Sequence, residues 1–336
     1  MIVPHRKRNR TRNRKYVRKQ SFLVNSITDY SIKLDDMDSL ISSMSQSGGF
    51  ESRNLANGVN ILWSMQNDSK CTRFLSFVGS IISTGVRGII RDMLKNKMFD
   101  CVITTCGALD HDIARANDAY YAGEFGIDDN ILLNNKIHRL GNVLIPNENY
   151  GPLIEKKVQQ CLLSLYNKSN VKEFSSSEIA KHIGTKMNES SFLYWASRND
   201  IPVIVPGILD GAVGSQIWLF YQNHRDFKLN LLADQSRLSD IIYDAKKTGA
   251  FMIGGGISKH HTLWWNQFRG GLDYALYITT ANEWDGSLSG ALVTEAISWG
   301  KVKAKAKQVT IHGEATILLP FIYRAMLGRK DMNSYS

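Results

Sequence analysis

The sequence predicts an α/β fold, a doubly wound, mostly parallel sheet with helices on both faces. Three observations predict it. Six short runs rich in β-branched and aromatic residues lie between residues 74 and 314. Longer runs with apolar residues at helical spacing separate them. The runs IPVIVP and FMIGG are apolar without alternation, which suits strands buried on both faces of a sheet.

In chain order the strand candidates are FLSFVGS (74–80), FDCVITT (99–105), IPVIVPG (201–207), AFMIGGG (250–256), DYALYITTA (273–281) and QVTIHGE (308–314). Helical spacing marks residues 85–98, 151–169, 210–223 and 231–249. Residues 128–151 read as loops and short elements that help to bound a cleft. No internal repeat and no Pro-rich linker interrupts the chain, so residues 26–336 are expected to form one domain.

A chain of 336 residues, 43% of them hydrophobic, can bury a large core. No apolar run approaches the roughly 18–20 residues that cross a bilayer, and the basic start has no apolar stretch behind it, so a cytoplasmic protein is expected, with no membrane partner. Cys71, Cys101, Cys106 and Cys161 show no CxxC spacing and are expected to be reduced thiols. The formal charge is +10, but residues 1–20 hold nine Lys or Arg and no acid, which leaves about +1 for the remainder. The body is therefore nearly neutral. Residues 1–25 are expected to form a disordered basic tail, whose run 5–19 offers weak contact to RNA phosphates.

In a doubly wound sheet, ligands bind beyond the carboxyl ends of the strands. The segments that follow the six runs are SIISTG, CGALDHD, ILDGAVGS, ISKHH, NEWDGSLSG and ATILLP. Gly, Ser, Thr and Asp are ordinary turn and cap residues in any one of them. Together they point to a nucleotide-sized ligand, because small residues admit phosphates to backbone N–H groups and Asp can hold ribose hydroxyls. No GxGxxG follows a strand, and GGGISKHH lacks the spacing of a phosphate loop. A metal is not expected: His260 and His261 are adjacent, with no third ligand at suitable spacing. Histidine as acid, base or hydrogen-bond donor is the better functional reading, against that of a first-turn helix residue.

The run EAISWGKVKAKAK places lysines at 301, 303, 305 and 307. Three read as solvated charges on a strand. Lys301 differs, because it follows Glu295 and Trp299, which share a face at i and i+4 of a short helix. A carboxylate and an indole together receive an aliphatic ammonium. Confining two amines favours the neutral form of one, which imine formation requires. An exposed lysine beside a core tryptophan is the plainer reading of the same residues.

MIGGGISKHH, DYALYITTANEWDGSLSGALVTEAISWGK and PGILDGAVGSQ resemble deoxyhypusine synthase, over about residues 40–325. LDHD (109–112), HRLGNVLIPNENYG and SKHHTLWWNQFRGGLDYA are most similar to the archaeal branch. The resemblance implies a Rossmann-like homotetramer, a dimer of dimers, that uses NAD to move the 4-aminobutyl group of spermidine onto one lysine of translation initiation factor 5A. It makes Lys301 the nucleophile that attacks the oxidised donor, expels 1,3-diaminopropane and holds the butylamine as an imine. His260 becomes the proton-transfer histidine, and Glu295 and Trp299 the spermidine-binding acid and ring. NAD-binding positions are Ser80, Ser83, Thr105, Cys106, Gly107, Asp210, Thr280, Ala281, Asp285, Ser289, Glu314 and Ala315.

Four positions depart from the eukaryotic pattern. Ser215 and Leu288 replace polyamine-binding aspartates, His111 replaces a glutamate, and Glu314 an aspartate near the cofactor. The loss of two acids favours an alternative within the same chemistry: agmatine as donor, or a free polyamine as acceptor in the manner of homospermidine synthases. A non-catalytic RNA-binding module acting through the basic tail is a second alternative.

Overall fold

The computed structural model describes residues 27–30 and 37–333, and the basic tail with its expected RNA contact lies outside them. All six expected strands join one sheet: β1 (Cys71–Phe77), β2 (Cys101–Ile103), β3 (Val203–Ile204), β4 (Lys247–Ile253), β5 (Leu272–Thr279) and β6 (Val302–His312). Their order is β3-β2-β1-β4-β5-β6, and every neighbouring pair is parallel. This 3-2-1-4-5-6 order is that of dinucleotide-binding doubly wound folds. Its direction reverses between β1 and β4, where such folds open a ligand crevice.

Burial on both faces explains the continuous apolar runs. In β4, Phe251 and Ile253 join one core while Ala250 and Met252 join the other. In β5, Leu276 and Ile278 alternate in the same way with Ala275 and Tyr277. Helices Leu231–Asp244 and Gly256–Asn266 cover one face through Leu238, Ile242 and Leu263. Phe50–Gln66, Arg87–Lys95, Cys106–Asn117 and Ala315–Asn333 contribute to the core on the other.

Three strand boundaries differ from the sequence reading in the same sense. Strands β1 and β4 begin and end three residues earlier than expected, and β6 begins at Val302 instead of 308. Post-strand glycines and small apolar residues look like strand but form the turns. β6 also absorbs the lysine run with a register shift, since Leu272 pairs with Val302 but Tyr274 with Lys307. The lysines at 303, 305 and 307 therefore do not share one regular strand face. Residues 128–151 contain the helix Asp129–Asn134 and an antiparallel hairpin, Ile137–Leu140 with Val143–Pro146, to which Tyr121–Ala122 adds a strand.

One buried charge pair ties the early helices to a later one. Asp112, fully buried, accepts from Arg87 Nε at 2.7 Å, Ser191 Oγ at 2.6 Å and Leu193 N at 3.1 Å. Removing the carboxylate strands the Arg87 guanidinium and leaves the Phe192 and Leu193 amides at the start of the helix Phe192–Arg198 without their acceptor. Asp112→Ala is therefore expected to lower unfolding stability by about 3–5 kcal/mol in urea titration. A loss near that of an exposed pair, below about 1 kcal/mol, would show that Arg87 finds another partner.

Candidate active site

Lys301 lies immediately before β6. Its N–H donates to Ala296 O at 3.0 Å, and its carbonyl accepts from Leu272 N at 3.0 Å. The side chain enters a cavity of about 300 Å³ lined by Lys259, His260, Leu263, Trp264, Leu288, Ala291, Leu292, Glu295, Ala296 and Trp299. Three local features build this wall. Gly256–Asn266 is a helix, so His260 and Trp264 stand one turn apart, with ring centroids 5.6 Å from each other. Glu295–Ser298 is a short helix that carries Glu295, and Trp299 caps its end. Gly300 turns the chain into β6 with a left-handed φ of 68°.

The Lys301 amine sits 5.1 Å from the Trp299 ring centroid and 5.4 Å from that of Trp264. No described residue holds it in a hydrogen bond or ion pair. Glu295 is the one carboxylate among the lining residues. Burial, and next the charge of Lys301, hold the His260 imidazole below its ordinary range, so it is neutral near pH 7. The cavity thus combines a free amine, a neutral imidazole, a carboxylate and two indole faces. That set can hold an alkylammonium and form a bond to an electrophilic carbon.

Lys301, His260, Glu295, Trp299 and Leu288 are brought together. Ser215 is not among them: it is exposed on the helix Ala212–Asn223, and its hydroxyl bonds to Gly211 O at 3.1 Å. His111 is buried and lines a different cavity with His138, Arg139 and Tyr150. Its Nδ1 lies 3.0 Å from Tyr120 Oη. Six lining residues were missed by sequence reasoning, Lys259, Leu263, Trp264, Ala291, Leu292 and Ala296. The spacing of Trp264, four residues after His260 on a helix, was the available signal for one of them.

The positions that the resemblance assigned to the cofactor fall at the carboxyl ends of the strands. Ser80 and Ser83 lie in the turn after β1, and Thr105, Cys106 and Gly107 at the start of the helix after β2. Asp210 follows β3. Thr280, Ala281, Asp285 and Ser289 follow β5, and Glu314 and Ala315 follow β6. Ser83 and Glu314 share a cavity of about 660 Å³ with Arg115, Tyr120 and Thr316. None of these twelve positions lines the cavity of Lys301. Among the described residues no group of three His, Cys, Asp or Glu could hold a metal ion, all four cysteines are free and buried, and no helix is long and apolar enough to cross a membrane.

A buried histidine, His111, and a half-buried one, His261, give the fold an acid limit. Burial, with the Arg115 charge, pushes His111 down to about 4, and burial, with the His260 charge, pushes His261 down to about 4. Between pH 6.5 and 4 the unfolded chain takes up protons at both rings that the folded chain refuses. Stability is therefore lost as pH falls through that window, by roughly 2–3 kcal/mol per histidine at its lower end. The expected result is a melting temperature that falls below pH 6.5, less steeply in His261→Asn. Parallel curves for variant and parent would remove His261 from the account.

The family model described as "DS: Deoxyhypusine synthase" matches residues 39–326. A probable deoxyhypusine synthase of Thermoplasma volcanium is 55% identical over 292 residues, 87% of this chain and 93% of its own. One from Picrophilus torridus is 52% identical over 92% of this chain and 99% of its own. A solved Entamoeba histolytica structure described as a deoxyhypusine synthase shares the fold with a TM-score of 0.63 at 21% identity, over 90% of this chain and 97% of that one. On the family match and these identities, this chain belongs to the deoxyhypusine synthase family of transferases.

Proposed function

We propose that the chain transfers the 4-aminobutyl group of spermidine to one lysine of translation initiation factor 5A, forming deoxyhypusine through an imine on Lys301. The observation that carries this reading is the unpartnered Lys301 amine, placed between Trp264 and Trp299 in a cavity with one acid. Glu295 would take the terminal ammonium of the donor, with the indole faces lining its methylene chain. The Lys301 amine would form a C=N bond at the oxidised donor carbon as the C–N bond to 1,3-diaminopropane breaks. His260, neutral, would take the proton that the attacking Lys301 nitrogen releases and deliver it to the departing amine. The factor's lysine then displaces Lys301 in a second transimination, which frees the enzyme's amine.

The carboxyl rim fits NAD. A Cβ added at Gly79 would lie 2.7 Å from both Ala108 N and Gly107 C, so the turns after β1 and β2 meet as backbone against backbone. The helices Cys106–Asn117 and Gly256–Asn266 begin without side-chain caps, which leaves their first amides to a phosphate. Ser80, Thr105, Asp210, Asp285 and Ser289 would hold the cofactor with the other rim positions named above. When bound, NAD supplies an acceptor for the donor's hydride and returns it to the product. We assign the protein to one domain over residues 26–336, to the cytoplasm, and to a homotetramer. The separation of the rim from the Lys301 cavity within one chain supports sites completed by a second copy.

The same geometry gives a second reading some support. Glu295 is the one acid lining the cavity, Leu288 adds an apolar wall, and Ser215 lies elsewhere. Agmatine needs fewer carboxylates than a trication, and a free polyamine could serve as acceptor. Incubation with NAD, labelled spermidine or agmatine, and factor 5A decides. Label from spermidine on the factor's lysine is the expected result. Label from agmatine alone, or only in a small amine, overturns it.

A further inference from the structure

Lys259 is a lysine buried to 1% exposure, and no carboxylate lies within ion-pair distance of it. Its ammonium donates instead to two backbone carbonyls, Leu288 O at 2.8 Å and Ala291 O at 2.6 Å, and lies 3.8 Å from the centroid of the Tyr277 ring. A carbonyl between them is also held by side chains from β5: Ser289 O accepts from Tyr277 Oη at 2.6 Å and from Thr279 Oγ1 at 3.0 Å. The segment after β5 has little regular structure of its own, so these bonds fix its course. It supplies Leu288, Ala291 and Leu292 to the cavity wall and runs directly into Glu295.

We propose that Lys259 is a positioning residue, a buried ammonium that ties the 288–291 segment to the helix carrying His260 and so fixes Glu295 and the cavity wall around Lys301. A buried cation costs free energy unless it is fully bonded, and here its partners are neutral. Burial pushes its amine down to about 8, with the nearby Glu295 acting in the opposite sense. A well-packed apolar side chain would serve stability alone at least as well. Retention of a charge at this place is explained by what it holds. Charged donors make the stronger hydrogen bonds to carbonyls, and two of them converge on one segment.

The kinetic part of this inference rests on the transfer function proposed above, whereas the structural part does not. Amide hydrogen exchange of the unliganded protein tests the latter. In Lys259→Met, residues 286–294 are expected to exchange roughly tenfold faster or more, with the helix Phe50–Gln66 unchanged. Should that variant fail to fold, Lys259→Gln, neutral and shorter, serves for the same comparison. In transfer assays the donor KM is expected to rise more than kcat falls, with partial recovery in Lys259→Arg. Unchanged exchange over 286–294 in a folded variant overturns the clamp. Faster exchange with unaltered KM and kcat overturns its role in positioning the site. Absence of transfer by the parent protein would defeat the proposed function, while the exchange comparison would still decide whether the clamp exists.

Discussion

Lys301→Ala is expected to lower aminobutyl transfer by roughly 10⁴-fold or more, the scale on which covalent enzymes respond to loss of their nucleophile. The fold should survive, because the main chain of Lys301 is held by Ala296 O and Leu272 N, whatever its side chain. The side chain itself contributes two ring contacts at more than 5 Å, so its removal costs little stability. Lys301→Arg sharpens the test. It keeps a cation between Trp264 and Trp299 but cannot form an imine, and it should be as inactive as the alanine variant. Borohydride added during turnover should attach the donor's butylamine to Lys301 in the parent and to no residue in either variant. Substantial turnover in Lys301→Arg would sink covalent catalysis at this position. Lys303→Ala is the contrast, since that lysine pairs with Asp273 at 2.6 Å and should change activity little.

The sheet was legible because its chemistry is local. A strand buried on both faces must be apolar at consecutive positions, and Val203, Ile204 and Val205, all buried, stand out in the sequence for that reason. Strand order was legible only as a class, since parallel pairing follows from alternation with helices but the reversal between β1 and β4 does not. Boundaries were less legible. Gly254, Gly255 and Gly256 extend an apolar run yet belong to the turn and helix start, with Gly254 and Gly256 at φ of 75° and 68°. The helix Ala315–Asn333 escaped notice because it contains Pro320, a residue ordinarily read as a stop. Helix Ser176–Gly184 carried a readable sign in its Ser175 and Glu178 capping box.

At the site, Glu295, Trp299 and Lys301 were legible because they are neighbours in sequence and one helical turn brings two of them onto one face. Lys259 was not. Alternation and charge cannot tell a buried lysine from a solvated one, and its carbonyl partners lie about thirty residues away, at Leu288 and Ala291. His111 shows the opposite limit. Packing buries it against Tyr120 and Tyr150, beside a cavity separate from that of Lys301, a placement that the LDHD motif alone does not give.

Gly255→Ala is expected to lower turnover by about 100-fold, the cost of misplacing reacting groups by about an ångström. Gly255 ends the turn after β4, at the reversal of strand order, and begins the helix that carries Lys259 and His260. A Cβ there would lie 2.2 Å from Ser289 Oγ and 2.4 Å from Ser289 Cα. Rotation of the Ser289 side chain cannot relieve a clash with its own backbone, so the helix start or the 286–294 segment must move. Either movement separates His260 from Glu295. Gly256→Ala isolates strain from crowding: nothing lies within 4 Å of its added Cβ, but its left-handed φ of 68° penalises a side chain by about 1 kcal/mol. That variant should lose stability and keep most of its turnover. Gly126→Ala, with open space and no positive φ, should change neither. If Gly255→Ala and Gly256→Ala lost turnover equally, the contact with Ser289 would not be what places the site.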